Sequence, residues 1–112
     1  MLRLDLKREP YWLDLLPGVR VRVRPCTTAM LMAARAELSR LPRQPGEGLA
    51  ELLRLLALAA IEAWEGIGDE AGAEMPVSPE AITAVMELWP FAEAFEARYL
   101  GPAMVLDDEK NG

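Results

Sequence analysis

Leu49-Ala-Glu-Leu-Leu-Arg-Leu-Leu-Ala-Leu-Ala-Ala-Ile-Glu-Ala-Trp64 is the stretch around which the rest of the chain is organised. It contains neither Gly nor Pro and only one β-branched residue, and its Leu and Ala are strong helix formers. At about 100° per residue, Glu51, Arg54, Glu62 and Glu65 fall within a stripe roughly 80° wide, and everything outside that stripe is apolar. A helix apolar on most of its circumference is buried on most of it. The sequence therefore predicts a central helix over Leu49–Trp64, with other elements packed around it.

Upstream, the hydrophobic period changes from 3.6 to two. Leu2, Leu4 and Leu6 alternate with Arg3, Asp5 and Lys7, which predicts a half-buried strand. A second strand is expected over Tyr11–Leu16. Pro17-Gly18 forms a turn, with Pro fixing φ and Gly accepting φ > 0. Val19, Val21 and Val23 then alternate with Arg20, Arg22 and Arg24 in the cleanest period-two run of the chain. A Pro-Gly type II turn mismatches the twist of the tightest hairpins, so a loop longer than two residues is expected. Such a meander, apolar on one face, needs helices to cover it.

Downstream of Pro25, Thr27 or Thr28 caps a helix reaching about Leu41, with Met30, Leu31, Ala34, Leu38 and Leu41 on one face. The glycine-rich stretch Gly66–Val77 has no regular period and reads as a long loop. Asp69, Glu70 and Glu74 lack the acidic spacing of a calcium loop. Ser78-Pro79-Glu80 is a helix start: an N-cap, a Pro at the first helical position and an acid in the first turn. Pro90 breaks that helix near Trp89. A further piece runs to Leu100, where Gly101-Pro102 ends it, with Phe91, Phe95 and Tyr99 on one face. The expected fold is α+β in one domain of 112 residues. It comprises a small antiparallel meander over 1–25, about four helices over 27–100 and a flexible tail over 101–112.

Composition removes most chemistry. The chain has no His and one Cys, Cys26. Ordinary zinc sites and His-dependent nucleophilic pairs are thereby excluded, and no glycine-rich phosphate loop follows a strand. No catalytic residue, cofactor or metal is expected, and the protein is not expected to be an enzyme. The longest apolar run, Leu55–Ile61, is far too short to span a membrane, and the charged N-terminus lacks signal-peptide character. A cytoplasmic location is expected. The net charge is −6, unevenly spread: residues 1–45 carry nine Lys/Arg and four Asp/Glu, whereas residues 46–112 carry three and fourteen. The two halves either face each other within one fold or offer complementary surfaces for self-association. Arg20, Arg22 and Arg24 raise the possibility of a phosphate-binding row. Without interleaved aromatics, and on an acidic chain, a solvated strand face explains them better, and nucleic acid is not expected as a partner. The aromatic residues Trp12, Trp64, Trp89, Phe91, Phe95 and Tyr99 exceed what a small core strictly needs. Of these, Trp89, Phe91, Phe95 and Tyr99 are the candidate partner-binding residues.

The order Trp64-Glu65-Gly66-Ile67-Gly68-Asp69, Gly72, Met75-Pro76-Val77-Ser78-Pro79-Glu80 to Ile82 resembles small phage and prophage tail assembly chaperones. The resemblance rests on an apolar helix ending in Trp64, then Gly66, an acidic loop with Gly72, then Pro76, the Ser78 cap and Glu80, and a helix ending near Trp89-Pro90. Trp12-Leu13-Asp14 through Pro25 is similar to members from prophage and gene-transfer-agent-like clusters. Together the similarity covers roughly residues 11–100. It implies a non-enzymatic protein that binds the hydrophobic tape-measure protein during tail assembly in the bacterial host and is absent from the finished particle. It carries over no catalytic residue and does not say which positions touch the client. A minor tail-completion component of a prophage particle and a small nucleic-acid- or protein-binding regulator are the competing expectations.

Overall fold

A computed structural model of the chain describes Met1, residues 8–42 and residues 46–104. The expected strand at Leu2–Leu6 and the tail beyond Met104 lie outside the described residues. Within them the fold is α+β. Strand β1 (Tyr11–Leu16) and strand β2 (Val19–Val23) precede helices α1 (Thr28–Arg40) and α2 (Gly48–Ala60). Strand β3 (Ile61–Glu65) follows directly. Helix α3 (Pro79–Met86) and helix α4 (Trp89–Phe95) come next, continued by a π-helical segment Glu96–Leu100 and a helical turn Gly101–Ala103. The helix does not end at Gly101-Pro102 as expected. The π-helical segment shifts the hydrogen-bond frame just before Pro102, the Gly101 amide donating to the Glu96 carbonyl, and the helical turn continues to Met104, whose amide donates to the Leu100 carbonyl at 3.1 Å.

The sheet is antiparallel in the order β1-β2-β3. Two irregularities decide its shape. β1 and β2 are joined by Pro17-Gly18 alone, tighter than the turn type predicts, with Gly18 at φ +77°. The register slips by one residue between Asp14 and Leu16. Such a bulge adds local twist and lets a turn of the wrong hand close the hairpin. The second slip lies between β2 and β3: Val21 opposes Trp64 and Arg22 opposes Ala63, but Val23 opposes Ile61. Glu62 is the extra residue. It turns outward, and Ile61 and Trp64 both reach the core.

This corrects the prediction for the central stretch. The helix stops at Ala60, and Ile61–Glu65 is the third strand of the sheet. The part that is helical is central as expected: Leu53, Leu56, Ala57 and Ala60 are buried, and α1 and α3 both pack against it. The Arg24 amide donates to the Ala60 carbonyl at 2.9 Å, carrying the chain from helix end into sheet. Helix α1 begins as predicted, with the Thr27 side chain accepting from the Met30 amide. It is peripheral, however: of its expected apolar face, only Ala34 is buried.

Candidate functional site

Three of the four candidate aromatic residues do not face outward. Phe91, Phe95 and Tyr99 share one face, as their spacing predicts, but that face is turned into the core and all three are buried. The rings of Phe95 and Tyr99 stack at 4.9 Å between centroids. The Tyr99 hydroxyl donates to the Arg24 carbonyl at 2.7 Å and lies 3.2 Å from Met30 Sδ. The Arg98 guanidinium donates to the Asp14 carbonyl and ties the same segment to β1. A three-stranded sheet with one apolar face must be covered, and α4 with its π-helical continuation covers it. These residues are therefore corrected from partner-binding candidates to core. Burial pushes the Tyr99 phenol well above its ordinary range, with Cys26 and Tyr11 adding to the effect. Burial also raises the partly buried Cys26 thiol, and a hydrogen bond from Tyr99 opposes it.

Trp89 is different. It is 62% exposed, and its neighbour Leu88 is 60% exposed. Both sit where α3 ends and α4 begins, with Pro90 in the first turn of α4. Leu49, at the start of α2, is 47% exposed. Between Leu49 and Trp89 lies a cavity of about 430 Å³, lined by these two and by Leu53, Met86 and Ala92. Glu51 and Arg54 form one wall as an ion pair at 2.7 Å, and Thr83 and Glu87 form part of the other. Past Arg54 the cavity continues as a shallower depression of about 540 Å³ between Leu58 on α2 and Pro79, Glu80 and Ala84 on α3. Arg54, Thr83 and Glu87 border both, so the two form one groove along the α2–α3 seam. From Leu49 to Leu58 the rise along α2 is about 14 Å, two and a half helical turns.

The sequence pointed to Trp89 but not to Leu49, Met86 or Leu88. The available signal was Leu88-Trp89-Pro90. Two large apolar residues immediately before a helix-breaking Pro stand at a corner, where helix periodicity no longer directs them inward.

The arginine row offers no free phosphate-binding face. Arg20 lies 3.4 Å from Asp14 and 3.7 Å from Glu65. Glu62 pairs with Arg22 at 3.1 Å and with Arg24 at 3.7 Å. The Arg20 guanidinium also sits 4.6 Å from the Trp12 ring centroid. Basic residues of the N-terminal half and acidic residues of the C-terminal half thus meet across β2 and β3.

The residues that carry the family resemblance have structural duties here. Trp64 is buried, and its indole N–H donates to the Met75 carbonyl at 2.7 Å. Gly66, at φ +86°, lies against the β1–β2 turn. The stretch read as an irregular loop folds back on itself through a bridge between Gly68 and Glu74, turning at Gly72 with φ +83°. Asp69 Oδ1 accepts from the amides of Ala71 and Ala73 at 2.9 and 3.0 Å, so this acid builds the turn. Pro76 is exposed and leads to Ser78, whose side chain accepts from the Ala81 amide at 3.1 Å. Glu80 lies in the first turn of α3.

Among the described residues no group of three or more His, Cys, Asp or Glu could hold a metal ion. No helix among them is long and apolar enough to cross a membrane. Comparison of the chain with family models, curated proteins and solved structures finds no match.

Proposed function

We propose that this protein is a phage or prophage tail assembly chaperone that holds an apolar helical segment of the tape-measure protein, without catalysis, in the groove between α2 and α3. The observation that carries this reading is the exposure of Leu49 and Trp89 at the rim of an apolar cavity. Burying a large apolar side chain gives about 1.5–3 kcal/mol, and here such residues stand in water beside a groove that a helix could fill. The groove is about as long as two to three turns of helix, and Met86 in its lining adapts readily to varied side chains. The order of residues from Trp64 to Ile82 supports the choice of client. Self-association of the chaperone would present several grooves to one long client, so that avidity replaces tight single-site binding.

The test is co-expression of the chain, in native form and as Trp89→Ala, with a tape-measure protein from the same genome. The native chain should keep the client in the supernatant, and Trp89→Ala should lose part of that effect. Equal precipitation with and without the chain would defeat the proposal. Recovery of the chain in purified particles would assign it instead as a tail component.

A further inference from the structure

The groove has a charge pattern as well as an apolar floor. Four ionisable side chains border it: Glu51, Arg54, Glu80 and Glu87. Arg54 is committed to Glu51, with Nη2 at 2.7 Å and Nε at 3.2 Å from the same carboxylate oxygen. Glu80 and Glu87 have no ion-pair partner among the described residues. Both stand on the α3 side of the groove, seven residues and about 10 Å apart along the axis. The apolar lining comes from both helices, Leu49, Leu53 and Leu58 on α2 and Ala84 and Met86 on α3, with Trp89 at one end, so an occupant would meet an apolar floor and, on its α3 side, two carboxylates without an ion-pair partner.

We infer that the groove selects a basic amphipathic helix: one with an apolar stripe for Leu49, Leu53, Met86 and Trp89, and Lys or Arg at positions seven apart facing Glu80 and Glu87. Two residues seven apart on a helix share a face to within about 20°. A helix laid alongside α3 therefore matches both carboxylates at once. This inference rests on the reading of the groove as a helix-binding site and adds the chemistry of what it binds. A second copy of the chain is a poorer occupant. A two-fold contact through this face sets the Glu80–Glu87 row against itself. The exposed side of α1 offers one large apolar residue, Met32.

The experiment titrates the full chain with fluorescein-labelled designed helical peptides of about 18 residues. One carries a Leu stripe with two Lys seven apart; the other has Glu at those two positions. The Lys peptide is expected to bind and the Glu peptide to bind at least about tenfold more weakly. Glu80→Gln and Glu87→Gln should each weaken the Lys peptide by about threefold, and raising salt from about 50 to 500 mM should do the same. Trp89→Ala should weaken it by about tenfold. Equal binding of the two peptides, or binding indifferent to Glu80→Gln and Glu87→Gln, overturns the inference. So does a concentration-dependent dimer that Trp89→Ala dissolves, since the groove is then occupied by a second copy. The two readings fail separately. Solubilisation of the tape-measure protein without preference for the Lys peptide would leave the chaperone reading standing and remove the charge rule. Preference for the Lys peptide with no effect on the tape-measure protein would do the reverse.

Discussion

Gly66 sits directly on the backbone of Gly18: a Cβ at Gly66 would lie 1.8 Å from the Gly18 carbonyl oxygen. The end of β3 and the β1–β2 turn therefore approach as closely as two backbones without side chains allow. Both glycines have positive φ, but a Cβ at Gly18 would meet nothing within 4 Å. Gly18→Ala should incur mainly the left-handed backbone cost of about 1–2 kcal/mol. Gly66→Ala should incur that cost and also force the turn away from β3. Thermal melts of the two variants provide the check, with Gly66→Ala expected to melt clearly lower. Equal melting temperatures would show that the turn yields freely.

Trp64 and Met75 hold the next segment. Trp64→Phe keeps most of the buried apolar area but leaves the Met75 carbonyl without its 2.7 Å donor. The expected loss is about 1 kcal/mol. It should appear first in hydrogen exchange, because the Met75 amide, bonded to the Ile67 carbonyl at 2.9 Å, belongs to the segment released. Unchanged protection at Met75 would show that the fold-back closes without the indole.

The distribution of strands and helices was legible wherever one period ran uninterrupted. Val19, Val21 and Val23 alternate without a break, and Ser78-Pro79 announces α3 through its cap. β3 was not legible, for a physical reason. Its bulge at Glu62 places Ile61 and Trp64, three residues apart, on the same side of a strand. Three-residue spacing of apolar residues next to a Leu/Ala-rich helix reads as more helix. The candidate site was legible by half. Of the four aromatic candidates only Trp89 is exposed, and the sequence groups Phe91, Phe95 and Tyr99 with it because periodicity shows which residues share a face and not what that face meets. Leu49 was absorbed into the core because its helix is central, although its position in the first turn leaves it at the rim.

Stability should decline on the alkaline side. Burial raises the folded-state pKa of Tyr99 above its ordinary 10.0 and that of Cys26 above 9.0. Above those ordinary values the unfolded chain releases protons that the folded chain retains, so stability falls as pH rises. Their contribution is complete below the unfolded values and is lost as pH climbs through the raised ones. Urea unfolding midpoints should therefore be lower at about pH 10.5 than at about pH 8. Tyr99→Phe should flatten the decline while lowering stability at both values, because the Arg24 carbonyl loses its donor. Equal midpoints in the native chain would show that these groups ionise as readily folded as unfolded.

Phe95 and Trp89 should behave oppositely when truncated. Phe95 is fully buried and stacked on Tyr99, so Phe95→Ala leaves a cavity beneath the sheet and should cost about 3–5 kcal/mol. A domain of this size has only about 5–15 kcal/mol in total, so such a variant should melt far below the native chain. Trp89 has most of its surface in water, and Trp89→Ala should shift the melt by little, about 0.5 kcal/mol or less in either direction. Its effect should fall on binding, where a central aromatic anchor typically accounts for a tenfold loss or more. Measured side by side, the two variants separate the aromatic residues that hold the fold from the one exposed at the groove. A Trp89→Ala chain that melts as low as Phe95→Ala would mean that Trp89 supports the α3–α4 corner, and its binding defect could no longer be assigned to the groove.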